Sequence, residues 1–251
     1  MGEPSLMCVH AHPDDEALWT GGTLARWADA GARTAVVTCT WTEGTVRAGE
    51  LARSLDILGA GPPRMLGCAD ARVPASAPGA PRFVDAPLDE TVGQLVAHIR
   101  EFRPDVLVTY DAYGGYGHED HVHAHRATLM AAEAAGCAQF RPEAGEPWQP
   151  RSLALVTLPR SVVLPLWSAV FGPVEEGTVP GTPDELIGAA LDVTAWAGRK
   201  RDAALAHASE VERGAGFAQL AGLPEADQAR LLNTEWYLRR ELAPAFAADG
   251  L

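Results

Sequence analysis

Basic charge is scarce in this chain. Its 251 residues include a single lysine, Lys200, and carry a formal net charge of −13 at pH 7. Such a balance repels phosphate backbones and anionic lipid, so neither nucleic acid nor a membrane surface is an expected partner. Long apolar runs are missing too: none approaches the ~20 residues that a membrane-spanning helix needs. The first five residues carry no basic stretch ahead of an apolar one, which argues against a secretory signal. Cysteine is sparse. Cys8, Cys39, Cys68 and Cys137 lie far apart with no C-x-x-C pair, and Cys8 and Cys39 fall in predicted strands, where they read as small buried hydrophobes. A cytoplasmic protein is the expectation. No internal repeat is present, and no property above sets the oligomeric state; a homo-oligomer is compatible with all of them. What is present is ordinary: 47% hydrophobic and 21% charged residues, in a chain long enough for one sizeable α/β core.

The pattern alternates between two periods. Residues 6–10 and 34–40 are apolar on both faces, as central parallel strands are. Between and after them, apolar positions recur at helical spacing over residues 18–28 and 47–58. In the second of these helices Leu51, Leu55, Ile57 and Leu58 are expected to face inward, with Arg47, Glu50 and Arg53 outward. A short apolar piece at 64–66 is followed by an amphipathic helix at 88–102, a strand at 105–110 and a helix at 119–135. Strands alternating with helices of this length imply right-handed crossovers and a mostly parallel sheet, hence an α/β, Rossmann-like layered domain. No G-x-G-x-x-G follows the first strand, so a dinucleotide is not expected. Further on, residues 153–158 and 190–193 read as strands and 194–212 as one helix. Residues 161–170 fit a short helix or a strand equally, and 172–185 read as a surface excursion that could act as a lid. With no clear boundary, the chain is taken as one domain over 1–251: a core at 1–135 and a C-terminal elaboration at 136–251 that shapes the substrate site.

Two polar clusters interrupt this plan, each directly after a strand. The first is His10-Ala11-His12-Pro13-Asp14-Asp15-Glu16. A turn and a helix cap account for the proline and one aspartate, not for two His, two Asp and a Glu together. The second runs from Asp111 through Gly114-Gly115-Tyr116-Gly117 to His118-Glu119-Asp120-His121, with His123 and His125 beyond. On a helix His118, His121 and His125 would share one face. Loops at one sheet edge can converge, and zinc takes His nitrogen and carboxylate oxygen, three protein ligands in a catalytic site. His12, Asp15 and one histidine of the second cluster make such a set, and Asp14 beside it could accept the proton of a water. These parts define metal-assisted hydrolysis without selecting a substrate.

His12-Pro13-Asp14-Asp15-Glu16, with Gly21-Gly22-Thr23 behind it, resembles the A-H-P-D-D-E signature of the LmbE-like, PIG-L-type zinc N-deacetylases. Gly115-Tyr116-Gly117-His118-Glu119-Asp120-His121 is similar to that family's second motif, above all in the mycothiol-pathway branch that deacetylates N-acetylglucosaminyl-inositol. The resemblance covers the first 135 residues well and continues in patches around 200–210 and 233–239. It implies His12, Asp15 and His121 as ligands of Zn²⁺ (or Fe²⁺), Asp14 as general base, His118 as acid or electrostatic group, and Tyr116 as a hydroxyl donor to the oxyanion. It also implies Arg47 as a contact to sugar or polyol, with Glu43 in the loop before it as a second candidate, and Asp120 as the residue that orients a ligand or His118. The substrate implied is a small amino sugar. Three departures stand out: Glu210 where the family often has glutamine, Glu119 where the branch usually has proline, and a shorter segment between Glu43 and Arg47. The shorter segment and Glu210 keep deacetylation of a glycosylated natural product open, and amide hydrolysis of a mycothiol S-conjugate is the nearest rival within the class. A metal-bound binding protein is the alternative outside catalysis, but it would need Asp14 or the ligands to be degraded, and all are intact. A two-metal phosphoesterase would want more bridging carboxylates than a histidine-rich second cluster offers.

Overall fold

An apolar run without alternation is stable only where both of its faces are covered. In the computed structural model, which describes residues 4–164 and 181–242, strand β1 (Ser5–His10) is buried along its whole length. It lies between β2 (Arg33–Thr40) and β4 (Val106–Tyr110), parallel to both, with Cys8 opposite Val36 and Val108. Strand β3 (Arg64–Cys68) pairs with β2, and β5 (Ser152–Thr157) with β4, again in parallel. Two antiparallel strands complete a seven-stranded sheet of order β3-β2-β1-β4-β5-β7-β6, with β7 (Thr234–Glu241) inside and β6 (Ala189–Asp192) at the edge.

After β3 the chain reverses its direction of travel across the sheet. Right-handed crossovers then put α1 (Asp15–Asp29) and α2 (Val46–Leu58) on one face and α3 (Leu88–Phe102) and α4 (Glu119–Ala134) on the other. Helix α5 (Ala197–Leu205) packs on α1 and α2, and α3 packs on α4. The reversal makes the C-terminal ends of β1 and β4 a topological switch point, where open α/β sheets form their ligand crevice. Both polar clusters leave the sheet there. Close packing of α1 explains one of its glycines: a Cβ on Gly22 would lie 2.5 Å from the Val193 side chain.

The elements of the first 135 residues fall where their alternation predicts, and differences from expectation arise in three places. The expected helix at 194–212 is broken into a 3₁₀ turn (Thr194–Trp196), α5 and α6 (Ala208–Glu212). The break is at His207, which leaves helical geometry (φ −81°, ψ 60°) as its ring reaches Glu16. Strand β7 is new: its inward positions include Glu235, so the apolar alternation that would announce a strand is interrupted by a buried acid. Third, Arg47 and Glu50 on α2 are buried, not solvated. Helix α6 covers that side, and Ser209 donates to Glu50 from its N–H (2.8 Å) and its hydroxyl (2.6 Å). Ile57, expected inside, is 36% exposed. Helices α7 (Phe217–Ala221) and α8 (Glu225–Asn233) precede β7. Residues 161–164 are helical; the remainder of 161–170, and most of the 172–185 excursion with its lid reading, lie outside the described residues. Cys8, Cys39 and Cys68 are buried, Cys137 is exposed, and none is in a disulfide. Among the described residues no helix is long and apolar enough to cross a membrane.

Candidate metal centre and active-site cavity

The turn after β1 places the first cluster. Asp14 takes a left-handed conformation (φ 118°, ψ −28°), and its N–H donates to Glu16 Oε2 at 2.9 Å. Asp15 then opens α1 with its carboxylate turned back, Oδ2 accepting the His12 N–H at 2.8 Å. From the next strand over, the Tyr110 hydroxyl donates to the same oxygen at 2.6 Å and accepts from the Ala11 N–H at 2.7 Å. The glycine turn after β4 delivers the second cluster. Positive φ at Gly114 and Gly115 lets the backbone close on its neighbours: a Cβ on Gly114 would lie 2.7 Å from His121 Cβ, and one on Gly115 2.6 Å from the Trp19 ring.

Three donor atoms meet as a result. His12 Nδ1 lies 3.2 Å from His121 Nε2 and 3.3 Å from Asp15 Oδ2, and His121 Nε2 lies 3.4 Å from Asp15 Oδ2. Ligands on arms of ~2.0–2.1 Å in a tetrahedron stand about 3.3–3.4 Å apart, so the triangle has the dimensions of one face of a zinc-sized site. Outer contacts aim both rings. His121 Nδ1 faces the Gly114 carbonyl at 3.1 Å and His12 Nε2 faces Asp120 Oδ2 at 3.1 Å, so each outer nitrogen holds a proton and each inner one is the ligand position, that of His12 once its second proton has left. Tyr110 stacks on His121 with ring centres 4.0 Å apart. The Asp15 carboxylate favours a cation, which must displace the second proton of His12 to bind. Burial pulls the His12 imidazole down, yet its hydrogen bonds to Asp120 and Asp15 outweigh that and hold it up at about 10. Burial would raise Asp15, but His121 and His12 draw it well below the usual carboxylate range. Two other groupings include His12, one with His118 and His121 and one with Asp70 and Asp120. They are less suited: His118 Nδ1 is occupied by the Asp120 N–H at 3.2 Å, and the second surrounds the nitrogen that holds Asp120.

The triangle opens into a cavity of about 600 Å³ lined also by Asp14, Arg47, Asp70, Arg72, Tyr116 and His118. Burial pushes the Asp14 carboxyl up to about 7 against the pull of Arg47, whose guanidinium lies 3.2 Å from Asp14 Oδ1 and 3.2 Å from Glu210 Oε1. Arg47 also donates to the Pro13 carbonyl and lies over the Trp41 ring. His118 does not share a helix face with His121 and His125. It is the N-cap of α4, its Nδ1 accepting the Asp120 N–H, and burial beside His12 and His121 pushes it down to about 4. Tyr116 stacks on Trp19, and burial raises its hydroxyl above the ordinary tyrosine range.

Glu43 is a correction. It is exposed, is not among the residues lining the cavity, and borders a separate hollow with Pro62 and Met65. Thr45 caps α2 by accepting the Ala48 N–H at 3.2 Å, so the helix begins with Arg47 directed inward while the loop before it stays outside. His125 is structural, its Nδ1–H donating to the Tyr110 carbonyl at 2.8 Å, and buried His10 pairs with Thr20 at 2.9 Å. Two site residues escaped the sequence reading. Tyr110 looked like the last residue of a strand. Asp70, 3.4 Å from His12 Nε2, stood at a strand end and carried the signal that marked the other two clusters.

Comparison with known proteins bears on the same stretch. The model of the PIG-L family, GlcNAc-PI de-N-acetylase, matches residues 7–132, which hold both clusters. A 1D-myo-inositol 2-acetamido-2-deoxy-alpha-D-glucopyranoside deacetylase of Rhodococcus jostii is 38% identical over 100% of this chain and 96% of that protein. The chain belongs to the PIG-L, GlcNAc-PI de-N-acetylase family. Solved structures share the fold at lower identity. An N,N'-diacetylchitobiose deacetylase from Pyrococcus horikoshii superposes with a TM-score of 0.65 at 16% identity, covering 94% of this chain and 83% of that one. A 4-carboxy-2-hydroxymuconate hydratase from Pseudomonas putida does so with 0.61 at 16%, covering 97% and 100%. A fold that also serves a hydratase leaves the reaction to the site.

Proposed function

We propose that the protein is a metal-dependent N-deacetylase that hydrolyses the acetamide of an N-acetylglucosamine-containing small molecule, releasing acetate and a free amine. The observation that carries this is the donor triangle of 3.2–3.4 Å between His12 Nδ1, His121 Nε2 and Asp15 Oδ2, with Asp14 next in sequence and lining the same cavity. His12, Asp15 and His121 would hold the metal; zinc and ferrous iron both suit two imidazoles and a carboxylate. A divalent ion bound there supplies Lewis acidity toward the acetyl carbonyl and makes water more acidic.

The remaining work falls to side chains. Asp14, poised near neutrality by its burial, takes the proton of the attacking water and returns it to the departing nitrogen. His118 is neutral at pH 7, and because its Nδ1 accepts from Asp120 its Nε2 bears the proton. It therefore donates a hydrogen bond to the developing oxyanion and does not act as a proton-loaded acid. The Tyr116 hydroxyl, kept protonated, is the second donor. Asp120 orients His12, and Arg47 fixes the Asp14 carboxylate from the side. The relatives named for deacetylating an N-acetylglucosaminyl-inositol support an amino-sugar substrate. The charge of −13 and the lack of a membrane-spanning helix among the described residues fit a cytoplasmic enzyme.

The test is amine release by the metal-loaded protein, offered N-acetylglucosaminyl-inositol, N-acetylglucosamine and a glycosylated aglycone bearing N-acetylglucosamine. Release from at least one is expected. Silence on all three with metal bound would overturn the deacetylase reading and favour hydrolysis of a larger amide.

A further inference from the structure

The cavity has two unlike sides. Asp14, Arg47, Asp70, Arg72, Glu210 and Arg213 present charge on one. The other is lined by Leu18 of α1, Val163 after β5, Leu220 of α7, Leu223, Leu231 of α8 and Trp236 of β7. Two charged groups, Lys200 and Glu235, stand among these apolar side chains; the carboxylate is saturated by the protein itself, and two of the three ammonium donors are taken up by it. Glu235 Oε1 accepts from the Gly22 N–H (2.9 Å) and Lys200 Nζ (2.8 Å). Its Oε2 accepts from the Thr23 N–H (2.9 Å), the Thr23 hydroxyl (2.6 Å) and the Tyr237 hydroxyl (3.1 Å). Lys200 Nζ donates further to the Leu231 carbonyl at 3.2 Å, and both side chains are 2% exposed.

A ligand hydroxyl brought against the leucine side chains of this wall would lose water and gain no partner from them, an unfavourable transfer; Gln219, Thr234 and the Trp236 indole N–H are the polar groups beside them. A hydrocarbon group would gain. Leu223, Leu231 and Trp236 are half-buried and lie outside both the core cluster and the residues packed on it, so their apolar surface is available to a ligand. From this division of the cavity we infer that the substrate carries a hydrocarbon group on its amino sugar, seated against Leu220, Leu223, Leu231 and Trp236. The inference rests on the deacetylase reading and narrows it: the molecule is amphipathic, and its hydrocarbon arrives either through the glycosidic oxygen or through the acyl carbon.

Two substrate series separate these sources: methyl to hexyl glycosides of N-acetylglucosamine, and N-acetyl to N-hexanoyl amides of methyl glucosaminide. Each methylene buried contributes about fourfold, so two buried methylenes raise kcat/KM by at least tenfold, chiefly through KM. A rise in the first series identifies an apolar aglycone, and a rise in the second a longer acyl chain. Leu223→Asn, in the turn between α7 and α8, is expected to cut the preference severalfold, with thermal melting confirming that the variant is folded. Calorimetric titration with methyl and hexyl glucoside, which have no amide, reads the wall without catalysis, and the hexyl compound should bind at least tenfold more tightly. Equal rates across both series, with amine release intact, would overturn the inference and leave the deacetylase reading standing. No amine release from any compound would sink that reading instead, and the wall would then be judged by the titration, where equal binding of the two glucosides refutes it.

Discussion

Removing either member of the buried Lys200–Glu235 pair should destabilise the protein, and by unequal amounts. Glu235 is held by four donors besides Lys200, so Lys200→Met leaves a carboxylate that is still solvated by the Gly22 and Thr23 N–H groups and two hydroxyls. The main loss is the charge-assisted hydrogen bond to Glu235, about 2 kcal/mol, with the Leu231 carbonyl also losing a donor. Glu235→Gln is worse. The ammonium, at 2% exposure, keeps only the Leu231 carbonyl as its remaining partner, and the new amide group faces at least one N–H that nothing accepts. An uncompensated buried charge costs about 3–5 kcal/mol. In a domain of this size each kcal/mol shifts the melting temperature by about 2–4 °C, so Lys200→Met should lower it by about 4–8 °C and Glu235→Gln by about 6–20 °C. The double variant, with no buried charge left, should be more stable than Glu235→Gln alone, a coupling read from the double-mutant cycle. Thermal and urea unfolding followed by two probes measures all three. A Lys200→Met variant as damaged as Glu235→Gln, or a double variant worse than both, would refute the idea that the donors around Glu235 carry most of its stabilisation.

Three predictions concern the site. Asp14→Asn should retain metal at the level of the parent protein while turnover falls by ~10²–10⁴; loss of metal would make Asp14 a ligand and its assignment as base wrong. The base works only when ionised, so activity should fall on the acid side as Asp14 takes up a proton. Because Arg47 lowers the Asp14 pKa against burial, Arg47→Met should move that acid limb to higher pH, and an unmoved or lowered midpoint in the pH–kcat/KM profile would contradict the pairing. His12 is held at about 10 by its carboxylate neighbours, so it is protonated at neutral pH and must lose a proton to serve as a ligand. Metal binding should accordingly release about one proton and tighten about tenfold per pH unit below that value; calorimetry in buffers of different ionisation enthalpy would show whether it does.

What the sequence determined by itself was the layout of the core and the location of its chemistry. Apolar runs at residues 6–9 and within 105–110 announced buried strands, and His, Asp and Glu placed directly after them could not be explained as turns or caps. Both readings depend on local features, the period of a single element and the residue types at its end. What only tertiary structure decided was how remote elements meet. The period of α2 puts Arg47 and Glu50 on its polar side correctly, but that side is covered by α6, some 160 residues later, and so they are buried and paired. The adjacency of β1 and β4, which turns two separate clusters into one donor triangle, follows from the chain's reversal after β3 and not from either cluster. Tyr110 is indistinguishable from a core aromatic until its hydroxyl is seen on Asp15. Glu235 hid an entire strand, because an acid at an inward position is stable only when its partners, Lys200 and the Gly22 and Thr23 N–H groups, arrive from distant parts of the chain. Hydrophobic periodicity reports the face an element turns to the core; the contacts that make a polar residue stable there belong to the assembled fold.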